Sequence, residues 1–373
     1  MRKGLSISPR SSAARPSVKE LKELDVENVR MVFQSHAVRE STETAFRFYT
    51  PYIRELNQAN IRAILVINQE SHPGAPWVSG NWDGYHKDMR DLCYQIADHF
   101  QREKLKVSYI IWSGGDIRGE SSVYYPAKMY GSLLASCYAA IRSVDKNSLI
   151  YTQGHASGAE ETVRYIREWL SVSGKLPGII LNRHPYAQFI GNRPQISTHW
   201  EGRLNQDLPQ FLSFGMPIAF GEIGVSEPTG FPEKEYPAIA EYLQSVYDYA
   251  MSAGVTDFIW FAYSDIMRGA GIVDFRGRPK EFIYSKFAKL PSAKQADLRG
   301  QLKTLARVNI RIGVGTMSTI ITTVPAGTVV QWAEEVESKN SVAEKIGDGN
   351  KWIYVVLPDG RKGFVNAAFV GAV

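Results

Sequence analysis

Cysteine is scarce. Cys93 and Cys137 are the two in 373 residues, and each lies in an apolar stripe at helical spacing: Met89, Cys93, Ile96, Phe100 and Tyr130, Leu134, Cys137, Ile141. That pattern favours small buried hydrophobes over a disulfide or metal role. The seven histidines lack the paired spacing of metal ligands, and no metal or other cofactor is expected. No apolar run approaches the ~18 residues of a membrane span, and Met1-Arg2-Lys3 leads into a strand-like segment rather than an apolar signal core. An excess of one charge sign is also missing. The net charge is +5 with basic residues scattered, which argues against a nucleic-acid partner. These absences leave the cellular location open.

What is present is a regular alternation. Apolar residues make up 44% of the chain and charged residues 22%, as in globular proteins, and the 12% aromatic share provides stacking or packing surfaces. Short apolar runs read as strands at Gly4–Ser8, Val29–Gln34, Ile61–Ile67, Val107–Trp112, Ser148–Thr152, Gly178–Asn182, Pro217–Gly224 and Asp257–Tyr263. Helical patterns separate them, with starts marked by Ser17 and Ser41 as candidate N-caps. Eight β-α units predict an α/β fold, a (β/α)₈ TIM barrel over residues 1–290, whose chemistry belongs at the C-terminal ends of the strands. An open doubly wound sheet would carry a Gly-rich phosphate turn after its first strand, and Ser8-Pro9-Arg10-Ser11 is not one. Residues 291–304 read as a linker. Residues 305–373 hold short β-rich runs punctuated by Pro325-Ala326-Gly327 and Pro358-Asp359-Gly360, the pattern of a small all-β barrel.

Two strand ends carry most of the chemical signal. Tyr109-Ile110-Ile111-Trp112-Ser113-Gly114-Gly115-Asp116 and Ala219-Phe220-Gly221-Glu222 resemble the two active-site strands of the large (β/α)₈ clan of retaining glycoside hydrolases, the cellulase- and xylosidase-like enzymes. The resemblance implies a catalytic nucleophile at Glu222. It also implies an acid/base at the strand-four position, where the clan has Asn-Glu and this chain has Ser113-Gly114. Glycine has no proton to donate. The resemblance continues through His184-Pro185-Tyr186 and Gly271-Ile272-Val273-Asp274, and it places Arg30 beside the nucleophile and Trp260 as a strand-eight sugar platform.

Further substrate-binding positions expected on the same face are Trp77 and Trp82, because an aromatic face complements the C–H face of a sugar ring, and, as the resemblance implies, Asp116, His184 and Tyr186. Asp116, Glu120, Glu70 and Asp265 lie on loops of that face and are the candidates for a relocated acid. The C-terminal segment resembles bacterial SH3-like (SH3b) domains through Asn309-Ile310-Arg311, Pro325-Ala326-Gly327-Thr328, Lys351-Trp352-Ile353-Tyr354-Val355 and Gly363-Phe364-Val365. Such domains often bind peptide or cell wall in exported bacterial proteins. Taken together the sequence predicts a glycoside-hydrolase-like barrel that binds an oligo- or polysaccharide, with hydrolysis weak or lost. The alternatives are a non-catalytic carbohydrate- or cell-wall-binding scaffold, an active glycosidase with a relocated acid, and an acid/base-deleted form of an active enzyme. Sugar and linkage are not legible.

Overall fold

The computed structural model describes residues 1–74, 76–118, 123–186, 189–190, 193–194, 208–225, 232–291, 301–332, 339–358 and 361–373. Eight parallel strands close into a barrel: β1 (Arg2–Ser6), β2 (Asn28–Val32), β3 (Arg62–Ile67), β4 (Val107–Ile111), β5 (Ile150–Tyr151), β6 (Ile179–Arg183), β7 (Ile218–Gly224) and β8 (Asp257–Phe261). Each pairs with its neighbours in sequence, and β1 closes the ring on β8 with Arg2 opposite Asp257. Helices follow the strands, among them α1 (Val18–Glu23) and α2 (Thr42–Gln58). Ser17 and Ser41 cap them by accepting the Glu20 and Thr44 N–H groups.

The period of the strands sets two cores. Ile64, Val66, Ile110, Tyr151, Ile180, Ala219 and Ile259 form an apolar cluster inside the ring. Their sequence neighbours Leu65, Tyr109, Ile111, Ile179, Leu181, Phe220 and Phe258 pack outward against the helices. Below the interior cluster, Asp257 takes hydrogen bonds from Arg2, Asn28 and Tyr151 and closes the N-terminal end with paired polar groups.

Alternation is broken at one place that matters. Phe258 on β8 is opposite Phe220, yet Trp260 is opposite Ile223, so β7 carries one residue more than β8 across this step. This is a β-bulge. Phe220 and Ile223 both face outward, and the bulge holds Gly221 and Glu222 between them. A side chain on 221 would force Asn182 to move, since its Cβ would lie 2.0 Å from Asn182 Oδ1.

The C-terminal region forms a separate antiparallel sheet. Its strands are β9 (Gln301–Thr304), β10 (Val308–Arg311), β11 (Ile320–Val324), β12 (Val329–Trp332), β13 (Trp352–Val356), β14 (Lys362–Asn366) and β15 (Val370–Ala372), in the order β11-β10-β14-β13-β12-β9-β15. Alternate residues such as Ile353, Val355 and Val365 fill its own core. The sheet begins at Gln301, inside the segment expected to be linker, because Gln301–Lys303 pair with β12 and Leu302–Thr304 with β15. The linker reading of 301–304 is therefore corrected.

Candidate active site

At the C-terminal mouth of the barrel, β7 presents Glu222 and β2 presents Arg30 from across the ring. An ion pair joins Arg30 Nη2 to Glu222 Oε1, with the two side chains 4% and 13% exposed. Arg30 also donates to Ser6 Oγ on β1, at 3.4 Å. The other carboxylate oxygen, Oε2, accepts a hydrogen bond from the Tyr186 hydroxyl and lies 3.5 Å from His184 Nδ1. These four residues, all expected from the sequence, meet at one point.

The electrostatics follow from that set. Burial alone would raise the Glu222 carboxyl, but Arg30, then His184 and the Tyr186 hydrogen bond hold it below its ordinary value. Burial lowers His184 to about 4, with the Glu222 charge opposing, so the imidazole is neutral at pH 7. Burial, then the Glu222 charge, push the Tyr186 phenol well above its usual range, and it stays a hydrogen-bond donor. The result is a fixed, ionised carboxylate with one cation and two neutral groups, a phenol and an imidazole, on it. That is the state a nucleophilic carboxylate needs.

Strand four ends differently. Trp112 and Gly114 both have left-handed backbone, φ 75° and 65°, on either side of Ser113. Trp112 is fully buried. Gly114 is buried as well, and its N–H donates to Gly154 O while its carbonyl accepts from Ile117 N–H, each at 3.1 Å. The strand thus leaves the sheet in a tight backbone turn and offers the mouth no ionisable side chain at 113 or 114.

Asp116 is committed to that turn. Its carboxylate accepts from Ala156 N, Ser157 N and Thr162 Oγ1 at 3.1, 3.3 and 3.0 Å, and it is 1% exposed. Burial would raise it, but His155 and the N–H donors outweigh that and hold it at about 2. It ties the β4 loop to the β5 loop and is not turned to a ligand, a correction to its expected substrate-binding place. The other candidate acids among the described residues are bonded too: Glu70 accepts from Gln34 at 2.6 Å, and Asp265 pairs with Lys280 at 2.6 Å. Glu120 lies outside the described residues.

The strand-eight aromatic also needs correcting. Trp260 is fully buried on the outer face, near Tyr242, with its indole N–H donating to Ala270 O at 2.9 Å. The aromatic that faces the mouth is the next residue, Phe261, whose ring meets Tyr186 edge-on at 5.9 Å. The signal was in the alternation: Ile259 points inward, so Phe261 does too. Trp82 begins a long helix and packs edge-on against Tyr125 at 5.1 Å. Trp77 lies on the short helix Pro76–Ser79, with its side chain outside the described residues. Asn182 was missed altogether. It is completely buried beside the bulge, and neither atom of its amide has a hydrogen-bond partner among the described residues, nor has His184 Nε2.

Comparison with known proteins agrees with this architecture. Residues 306–371 match the bacterial SH3 domain family. The barrel is similar to that of the exo-β-1,4-mannosidase Op5Man5 from Opitutaceae bacterium strain TAV5, with a TM-score of 0.60 and 16% identity over 80% of this chain and 60% of that one. It is also similar to a monomeric β-xylosidase from Caulobacter crescentus CB15 (TM-score 0.54, 14% identity, 76% of this chain and 66% of that one). Cel5A from Thermotoga maritima, solved with mannotriose, gives a TM-score of 0.54 and 16% identity over 77% of this chain and 97% of that one. The chain spans less than two thirds of the length of the mannosidase and the xylosidase. At such identities the likeness is one of fold. No curated protein matches at the level of sequence.

Proposed function

We propose that this protein is a glycoside-hydrolase-like barrel that binds carbohydrate at its C-terminal mouth, with Glu222 as a retained nucleophile and without an acid/base on strand four. The observation that carries the reading is the contrast between two strand ends. Glu222 is held ionised by Arg30, His184 and Tyr186, whereas β4 ends in a left-handed glycine. A carboxylate buried at a barrel mouth is costly to keep charged unless it is used or paired, and here it is paired with its Oε2 edge shared between donors. Asn182 and His184 add buried polar atoms next to it that a sugar hydroxyl would satisfy. The structural neighbours named as an exo-β-1,4-mannosidase and a β-xylosidase, and Cel5A solved with mannotriose, support the choice of ligand class.

In this reading Glu222 attacks the anomeric carbon and Arg30 orients it. Phe261 provides an apolar surface for the ring. Loss of the acid removes a contribution of about 10² to 10⁴ in rate for ordinary glycosides, so hydrolysis is weak or lost. The strand-four turn equally favours a binding protein that has kept the cleft. Activated 2-deoxy-2-fluoro glycosides of mannose, xylose and glucose separate the two: the proposal expects a mass increase confined to the peptide containing Glu222. Oligosaccharide binding by calorimetry without labelling by any sugar supports the binding protein instead, and absence of both sinks the carbohydrate reading.

A further inference from the structure

Glu222 is contacted by a cation, an imidazole and a phenol, and the described carboxylates of the surrounding loops, Glu70, Asp116 and Asp265, are bonded elsewhere. Among the described residues the nucleophile side of a displacement is therefore assembled, and strand four ends at Ser113 and Gly114 without a carboxylate for the leaving-group side. A glycosidic oxygen that departs as a sugar alkoxide needs a proton in the transition state, because its conjugate acid is weak. An oxygen that departs as a stabilised anion does not. Ser113 and Gly114 also bring no negative charge to the end of strand four that would repel such an anion, and Arg30 neutralises Glu222.

We propose that the substrates this site turns over are glycosides whose aglycone leaves as a stable anion, a phenolate, carboxylate or phosphate. The inference rests on the reading of Glu222 as nucleophile. In the first step a Glu222 carboxylate oxygen bonds to the anomeric carbon while the bond from that carbon to the aglycone oxygen breaks. The electron pair leaves with the aglycone, and no proton moves. In the second step a water oxygen bonds to the anomeric carbon, the ester bond to Glu222 breaks with its electron pair returned to the carboxylate, and the proton of the water passes to solvent. With no base at 114 to take that proton, the second step is the slower one. An anionic acceptor such as azide needs no base and bypasses it.

The test uses the intact protein and the sugar that labels Glu222. Dinitrophenyl, nitrophenyl, phenyl and methyl glycosides of that sugar are compared by kcat/KM. The expected result is a steep fall along the series, about 10² to 10⁴ beyond that of an acid-assisted enzyme. A burst of one equivalent of phenolate is expected, and azide should raise turnover with release of the glycosyl azide of retained configuration. The benzoyl ester and the 1-phosphate of the same sugar then distinguish the natural sources of such an anion. Cleavage of the methyl glycoside within about tenfold of the dinitrophenyl compound overturns the inference while leaving the nucleophile intact. If no sugar labels Glu222, the underlying reading fails as well. The Glu222→Gln variant must lose the burst.

Discussion

Arg30 and Glu222 pair across the barrel mouth from β2 and β7, strands separated by β1 and β8, and each side chain is almost wholly buried. The pair is a cross-brace as well as an electrostatic device. Removing one partner leaves an uncompensated buried charge, which typically costs 3–5 kcal/mol. Arg30→Gln is expected to lower stability by about that amount in chemical denaturation, and the double variant Arg30→Gln with Glu222→Gln to recover part of it. Because Arg30 holds the Glu222 carboxyl below its ordinary value, labelling of the wild type should persist into acid and fail only as pH falls through that depressed pKa. In Arg30→Gln the failure should move to higher pH. An unchanged acid limb would show that Arg30 does not set the charge of Glu222.

Asp116 makes a separate pH prediction. Its pKa is about 2 in the fold against an ordinary 3.8, so it contributes stability that is fully present above pH 4 and lost as pH falls through 2. The size is about 2 kcal/mol at neutral pH. Asp116→Asn should therefore be less stable than wild type at pH 7, and the gap should shrink towards pH 2 in urea titrations. A gap independent of pH would mean that the carboxylate charge is not what ties the β4 loop to Ala156, Ser157 and Thr162.

The barrel was legible because β-α alternation is a matter of period. Strands such as Ile61–Ile67 show it directly, and Ser17 and Ser41 mark helix starts by their chemistry. The partners of Glu222 were legible through short motifs at strand ends. What period could not give is where it stops. The bulge at Gly221-Glu222 depends on how β7 pairs with β8, and the left-handed turn at Trp112 and Gly114 depends on a hydrogen bond to Gly154, both contacts between distant segments. Asp116 was misplaced for the same reason: its donors come from the next βα unit. The start of the C-terminal sheet at Gln301 is visible only through its pairing with β12 and β15.

The one-residue difference between Trp260 and Phe261 is directly testable. Trp260 fills the space between β8 and the helices, so Trp260→Ala should cost about 3–5 kcal/mol in stability. Phe261 lies at the mouth beside Tyr186. Phe261→Ala should weaken binding of the recognised oligosaccharide by roughly 0.5–1.5 kcal/mol, a loss of about 2- to 13-fold, with a far smaller effect on folding. If Phe261→Ala binds as tightly as wild type in calorimetry, strand eight does not provide the sugar platform.

Placing a carboxylate at the strand-four position is not a simple one-residue change. Gly114 has φ 65°, where a residue with a Cβ is strained by about 1–2 kcal/mol. Gly114→Ala and Gly114→Glu should lose similar stability, since the cost lies in the backbone rather than in the charge. The turn is also held by the Gly114 N–H to Gly154 and by Ile117 N–H to Gly114, so the backbone has bonds to keep it left-handed. Gly114→Glu, alone or with Ser113→Asn, is therefore expected to leave methyl-glycoside hydrolysis at the wild-type level. A gain of about 10² or more in kcat/KM would mean that the turn relaxes into an extended strand and that a single substitution separates this protein from an acid-assisted glycosidase.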